Sequence, residues 1–348
     1  MSDRDRYLGR RRKGYLRRLG IRERASEVHF ARTTDGWHVA LSRYGSRRSR
    51  RFPVMFCHGL GSNRFTWDLD PEVSLATHLA EEGYDVFSLE LRGHGRSQKR
   101  GPGFGRWGWS TYEYAERDFP AALEAVCELS GAPAVHVIGH SMGGILLHAR
   151  RAVGDPRIAS GVTIASSLDY TKTPSVFHSI KGLSGLASVL PVVPLGPMTR
   201  FLAPIALAFD NPIDRVNVHP GNVDRALYRR LCAVAFHGIS GPVLASLADA
   251  MEAGGMRDSS GVPLKMNVAL EGPRVLAIAG TADPQCHPKA ALRLCHDLLA
   301  FGREHGHAED YGHFDLVMGL RARSEVWPAI TSWLGARDDE APIPPAAR

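Results

Sequence analysis

Ser141, Asp283 and His313 are side chains whose order along the chain and local settings suit nucleophilic attack on a carbonyl. A serine hydroxyl is too weakly acidic to attack unaided. A histidine must take its proton and later return it to the leaving group, and a carboxylate must orient the imidazole and stabilise its charged form. Ser141 sits in Gly139-His140-Ser141-Met142-Gly143, a G-x-S-x-G pattern. The apolar run Ala134 to Ile138 precedes it as a buried strand, and Ile145, Leu146, Leu147 and Ala149 follow as the start of a helix. Strand, sharp turn and helix form the setting of a nucleophile elbow, in which the hydroxyl stands clear of the sheet edge. Side chains two positions to either side would collide there, so Gly139 and Gly143 supply bare backbone.

Negative charge that develops on the attacked oxygen needs preorganised donors. The amide of Met142, at a helix start, is one expected donor. The other is the amide of Leu60, in the glycine-rich turn His58-Gly59-Leu60-Gly61-Ser62-Asn63 that ends the buried run Pro53 to Cys57. His58 and His140 are expected to matter through their backbone more than through their rings. Asp283 follows the apolar strand Arg274 to Ala279 and precedes Pro284, which favours it as the acid; Asp169 and Asp310 are its rivals. His305 and His307 have H-x-H spacing on an expected edge strand, without the helical carboxylate motif that would support a metal pair.

These residues need a framework, and the apolar runs supply it. Residues 27–44 alternate as a hairpin turning at Asp35-Gly36. Runs at Pro53 to Cys57, Tyr84 to Leu89, Ala134 to Ile138, Arg157 to Ala165 and Arg274 to Ala279 read as central strands. Helices are expected over Glu72 to Glu82, from Ser110 or Thr111 to Leu129, over Pro288 to Leu299, and over Arg323 to Leu334. Arg303 to Asp310 is expected as a last edge strand. The βα rhythm lapses between Leu168 and Pro263, where Pro, Gly, Leu and Ala dominate. An α/β fold follows: a mostly parallel central sheet with helices on both faces and a helical cap inserted. The expected division is a basic extension over 1–26, a core over 27–167 and 264–338, a cap or lid over 168–263, and a flexible tail over 339–348.

The chain has 348 residues, 44% of them hydrophobic, and a net charge of +7. Residues 1–51 hold 16 Lys/Arg against 5 Asp/Glu, leaving 27 against 31 for the rest, so the body is slightly acidic. Residues 1–24 are expected as a solvated, partly frayed arm, or as an arm on an anionic membrane surface. An acidic body without a reading module argues against nucleic acid. Five cysteines without C-x-x-C spacing argue against a disulfide framework or structural zinc and for a reducing compartment. No apolar signal segment is seen. Gly103 to Gly108 fits G-x-G-x-x-G by letter but follows no strand, so a flexible loop is expected and no cofactor is implied. The loop Arg92-Gly93-His94-Gly95-Arg96-Ser97 is expected to shape the sheet edge.

His58-Gly59, Arg92 to Ser97, Gly139 to Gly143, Gly280-Thr281-Ala282-Asp283 and Gly312-His313 together resemble the α/β-hydrolase superfamily over roughly residues 30–335. Trp109-Ser110 with Glu113, Ala115, Asp118, Pro120 and Ala121, and His313 to Gly319, are similar to its acid-lipase branch. The resemblance implies a serine hydrolase for carboxylic esters with an apolar acyl group. An acyltransferase with the same triad is the closest alternative, and a non-catalytic binding protein a more distant one. The expected partners are a small-molecule or lipid ester and, through the basic segment, a membrane surface; the expected location is cytoplasmic, open to peripheral membrane contact.

Overall fold

The computed structural model describes residues 13–45, 49–99, 107–180, 190–252, 255–264, 272–292 and 295–340. Its strands are β1 (Glu27–Arg32), β2 (His38–Tyr44), β3 (Val54–Cys57), β4 (Val86–Glu90), β5 (Val135–His140), β6 (Ile158–Ile164), β7 (Val192–Val193), β8 (Ile239–Ser240), β9 (Val275–Gly280) and β10 (Asp297–Phe301). Eight of them form one sheet in the order β1-β2-β4-β3-β5-β6-β9-β10. The β1/β2 hairpin and the β2/β4 pair are antiparallel. Every pairing from β4 to β10 is parallel. Strands β3, β4, β5 and β9 are buried along their whole length. That burial is why their sequences run apolar without alternation.

The helix Met142–Ala152 follows β5 and is buried on nearly every residue. Ser110 and Glu113 form the expected capping box ahead of Phe119–Ser130. A π turn at Tyr114–Asp118 separates the cap from that helix and ends two residues before Pro120, which has no N–H to continue the regular ladder. Between β6 and β9 lie short helices, among them Leu195–Leu202, Arg225–Val234 and Gly241–Leu247, and the antiparallel pair β7/β8.

Four expectations give way. The helix after β9 is only Pro288–Ala291, and Asp297–Phe301 is a strand that pairs in parallel with Leu276–Gly280. The ladder offered by β9 outweighs the helical look of Asp-Leu-Leu-Ala-Phe. The expected edge strand at Arg303 to Asp310 is instead a 3-10 turn, Arg303–His305, followed by loop. The closing helix Trp327–Glu340 runs past Leu334, because Asp338 is tied into the core by His136 Nε2 and the Phe52 amide. Asp339 and Glu340 are therefore helical, while 341–348 lie outside the described residues, as do 1–12 and, of the loop expected at Gly103 to Gly108, residues 103–106. Finally, residues 13–24 are not a solvated arm. Leu16 and Ile21 are buried in a cluster with Phe65, Leu69, Val73 and Leu207, and Glu23 and Arg24 pair with Arg64 and Asp68.

Candidate active site

Ser141 stands between β5 and the helix Met142–Ala152 at φ 52 and ψ −121, a conformation that L side chains rarely hold. Such a backbone costs roughly 1–3 kcal/mol and persists only where its surroundings impose it. Here they do. The Ser141 amide donates to Ile164 O at 2.9 Å, and Ser141 O accepts from the amides of Gly144 and Ile145. A Cβ on Gly139 would stand 2.4 Å from Gly143 C and Gly144 N, and one on Gly143 would stand 2.1 Å from Cys57 O. Strand, turn and helix are thus packed backbone against backbone.

Asp283 follows β9 and His313 lies in the loop after Asp310. His313 Nδ1 is 2.8 Å from Asp283 Oδ2, and both side chains are buried. The carboxylate accepts, so Nδ1 carries the proton and Nε2 is the basic nitrogen. The other carboxylate oxygen, Oδ1, accepts from the amides of Gln285 at 2.8 Å and Cys286 at 3.2 Å. The rivals are engaged elsewhere. Asp169 Oδ1 accepts from the Thr171 amide and hydroxyl, and Asp310 Oδ1 from the Thr281 hydroxyl and the Arg303 amide. His307 Nδ1 meets Gly302, and its ring lies 4.6 Å from that of Phe301.

Two histidine rings do more than expected. His140 Nε2 donates to His313 O at 3.1 Å, and the two rings are 4.6 Å apart, which ties the residue before Ser141 to His313. Burial holds His140 well below the ordinary imidazole pKa. His58 Nε2 accepts from the Leu91 amide at 3.2 Å, so its Nδ1 carries a proton and donates to Gly59 O at 2.8 Å. Burial lowers the His58 pKa and keeps this neutral tautomer. Gly59 C=O and Leu60 N–H belong to one peptide unit, so the His58 ring fixes the direction of the Leu60 amide. Neither that amide nor the Met142 amide donates to another group among the described residues. Gly59 lies against the elbow: a Cβ there would be 3.1 Å from Ser141 Cβ.

The stretch between β6 and β9 reaches into the site. Gln285 Nε2 donates to Val216 O, the Phe314 amide to Asn217 O, and the His219 amide to Asp315 Oδ2. Segment 216–219 is thereby fastened to the loops of both Asp283 and His313. Elsewhere the His237 amide donates to Gly61 O at 2.7 Å. A cavity opens beside that contact, lined by Gly93, Lys99, Trp107, Trp109, His237 and Gly238. The loop after β4 does shape the sheet edge, since Arg92 bonds Asp118 and Asp35 and Ser97 bonds Glu90 O.

Sequence reasoning missed Gln285, Asp315 and the ring of His58. Asp315 carries a local signal, a carboxylate two residues after the histidine. Gln285 has none, because its partners lie about seventy positions away.

A parallel sheet extended by an antiparallel hairpin, with a strained serine between a buried strand and a helix, defines the class. The chain has the α/β-hydrolase fold, and residues 53–188 match the family model of the alpha/beta hydrolase fold. It is similar to a probable lipase of Schizosaccharomyces pombe, 31% identical over 142 residues that cover 36% of this chain and 30% of that one. Lipase 1 of Drosophila melanogaster is 23% identical and covers 91% of this chain and 78% of its own. The chain thus spans about a third of the length of the first of these relatives. Among solved structures, a monoglyceride lipase of Saccharomyces cerevisiae superposes with a TM-score of 0.59 at 17% identity, over 91% of this chain and 97% of that one. A thermophilic esterase of Thermogutta terrifontis gives 0.58, also at 17% identity, over 90% and 100%.

Proposed function

We propose that the protein is a serine hydrolase that cleaves carboxylic esters with an apolar acyl group. The observation that carries this reading is the 2.8 Å contact of His313 with Asp283, behind a serine held at φ 52 on the strand-to-helix turn. Ser141 attacks the ester carbonyl and passes its proton to His313, and the amides of Leu60 and Met142 hold the oxyanion. His313 returns that proton to the departing alcohol. Water, deprotonated by His313, then releases the acid from the acyl-enzyme. In this reading residues 27–167 and 264–338 form the catalytic core and 168–263 the cap. The indole-walled cavity beside Gly61 and the lipases among the relatives support the apolar acyl group.

The test is hydrolysis of p-nitrophenyl esters from acetate to palmitate. Wild type is expected to prefer medium or long chains, and Ser141→Ala to lose at least about 10³-fold in kcat. Equal rates in the two proteins would remove Ser141 as the nucleophile.

A further inference from the structure

The helix Leu195–Leu202 and the 3-10 turn Ala203–Ile205 that continues it carry an apolar stripe facing the wrong way for a core element. Met198, Phe201, Leu202 and Ile205 recur at i, i+3, i+4 and i+7, which is one helix face. That face is open to solvent: the four residues are 53%, 84%, 38% and 57% exposed. Phe209 and Ile213, further along the chain, are exposed as well. A soluble surface seldom collects so many large apolar side chains without a partner.

The basic N-terminal segment is seated beside this stripe. Leu16 and Ile21 share a buried cluster with Ala203, Ala206 and Leu207, and the Arg200 guanidinium lies 5.9 Å from the Tyr15 ring. Their neighbours Lys13, Arg17, Arg18 and Arg22 are exposed. Asp210, next to Phe209 in the chain, is paired with Arg215. We propose that the stripe and the adjoining basic segment form one docking face for an anionic lipid bilayer. Phe201, Ile205 and Met198 enter the interface, and the cations pair with headgroup phosphates.

Charge selects this occupant. A second copy docked through the same face would set two basic segments near each other, which opposes association. Position adds a reason. A Cβ on Gly61 would meet Leu195 at 3.1 Å, and Met198 follows three residues on, about 4.5 Å along the helix axis, so the stripe begins close to the loop that carries Leu60. The docking face does not depend on the hydrolytic reading, and the two fail separately.

The experiment is sedimentation of the full chain with phosphatidylcholine vesicles, with and without phosphatidylglycerol, at low and raised salt. Wild type is expected to bind the anionic vesicles at least about 10-fold more tightly than the neutral ones, and to release with salt. Phe201→Glu, the milder Ile205→Ser, and Arg17→Glu with Arg18→Glu should each weaken binding, the last by at least about 10-fold. All should hydrolyse a soluble short-chain ester at the wild-type rate. Absence of binding, equal binding to neutral vesicles, or indifference to Phe201→Glu would overturn the proposal. So would self-association without vesicles that Phe201→Glu abolishes, since the occupant would then be a second copy.

Discussion

Asp315 shows how much of the candidate site depends on one buried carboxylate close to His313. Its Oδ2 accepts from the amides of Gly312 at 2.9 Å and His219 at 2.8 Å, while Oδ1 is buried without a partner among the described residues. Burial pushes its pKa up to about 7. A carboxyl whose folded pKa lies above its unfolded value, near 4, costs stability as pH rises between the two and adds no further slope above them. Asp315→Asn keeps a carbonyl for the two amides and cannot ionise. Its stability relative to wild type should therefore rise from about pH 4 to about pH 7 and then level off. Urea unfolding of both proteins across that range checks this, and parallel profiles would sink it. Ser141 and Asp283 were legible as candidates because their signals are local: glycines at fixed offsets, and a loop after an apolar strand. The ring of His58 was not, because its partner Leu91 is thirty-three positions away. Only the parallel pairing of β3 with β4 brings them together.

At the scale of the elements, the closest backbone approach in the site is that of the elbow helix to the end of β3. Gly143 makes it possible, because a Cβ there would meet Cys57 O at 2.1 Å. Both sides of that contact are main chain, so neither can give way cheaply. Gly143→Ala should destabilise the protein by about 3 kcal/mol or more, on the scale of severe overpacking. It should also lose ester hydrolysis in whatever fraction still folds. Thermal melting and an active-site titration read the two effects separately; a stable, fully active variant would contradict the packing described. The strands buried on both faces announced themselves through runs such as Val-Met-Phe-Cys. The edge strand β10 did not, because an edge strand is half exposed and its Asp-Leu-Leu-Ala-Phe suits a helix equally well. There the hydrogen-bonding edge of β9 made the choice, and no window of sequence contains that edge.

At the scale of the whole molecule, the uneven charge invited the picture of a loose basic arm. The interleaved Leu16 and Ile21 tell the rest, since residues 13–24 sit on the second hydrophobic cluster, between the body and the inserted stretch. Leu16→Ala should then cost about 2–4 kcal/mol, as for other buried leucines, whereas a solvated arm would give a change within about 0.5 kcal/mol. Urea unfolding with an unchanged m-value distinguishes them. No helix among the described residues is long and apolar enough to cross a membrane. The fastening of segment 216–219 to Gln285, Phe314 and Asp315 has a consequence for how such a protein can diverge. An insertion between strands is commonly regarded as an exchangeable module, free to be replaced while the chemistry below is inherited unchanged. Here a replacement would have to bring its own acceptors for Gln285 and the Phe314 amide and a donor for Asp315. Divergence should therefore run through residues outside that short segment, which is inherited together with Asp283 and His313.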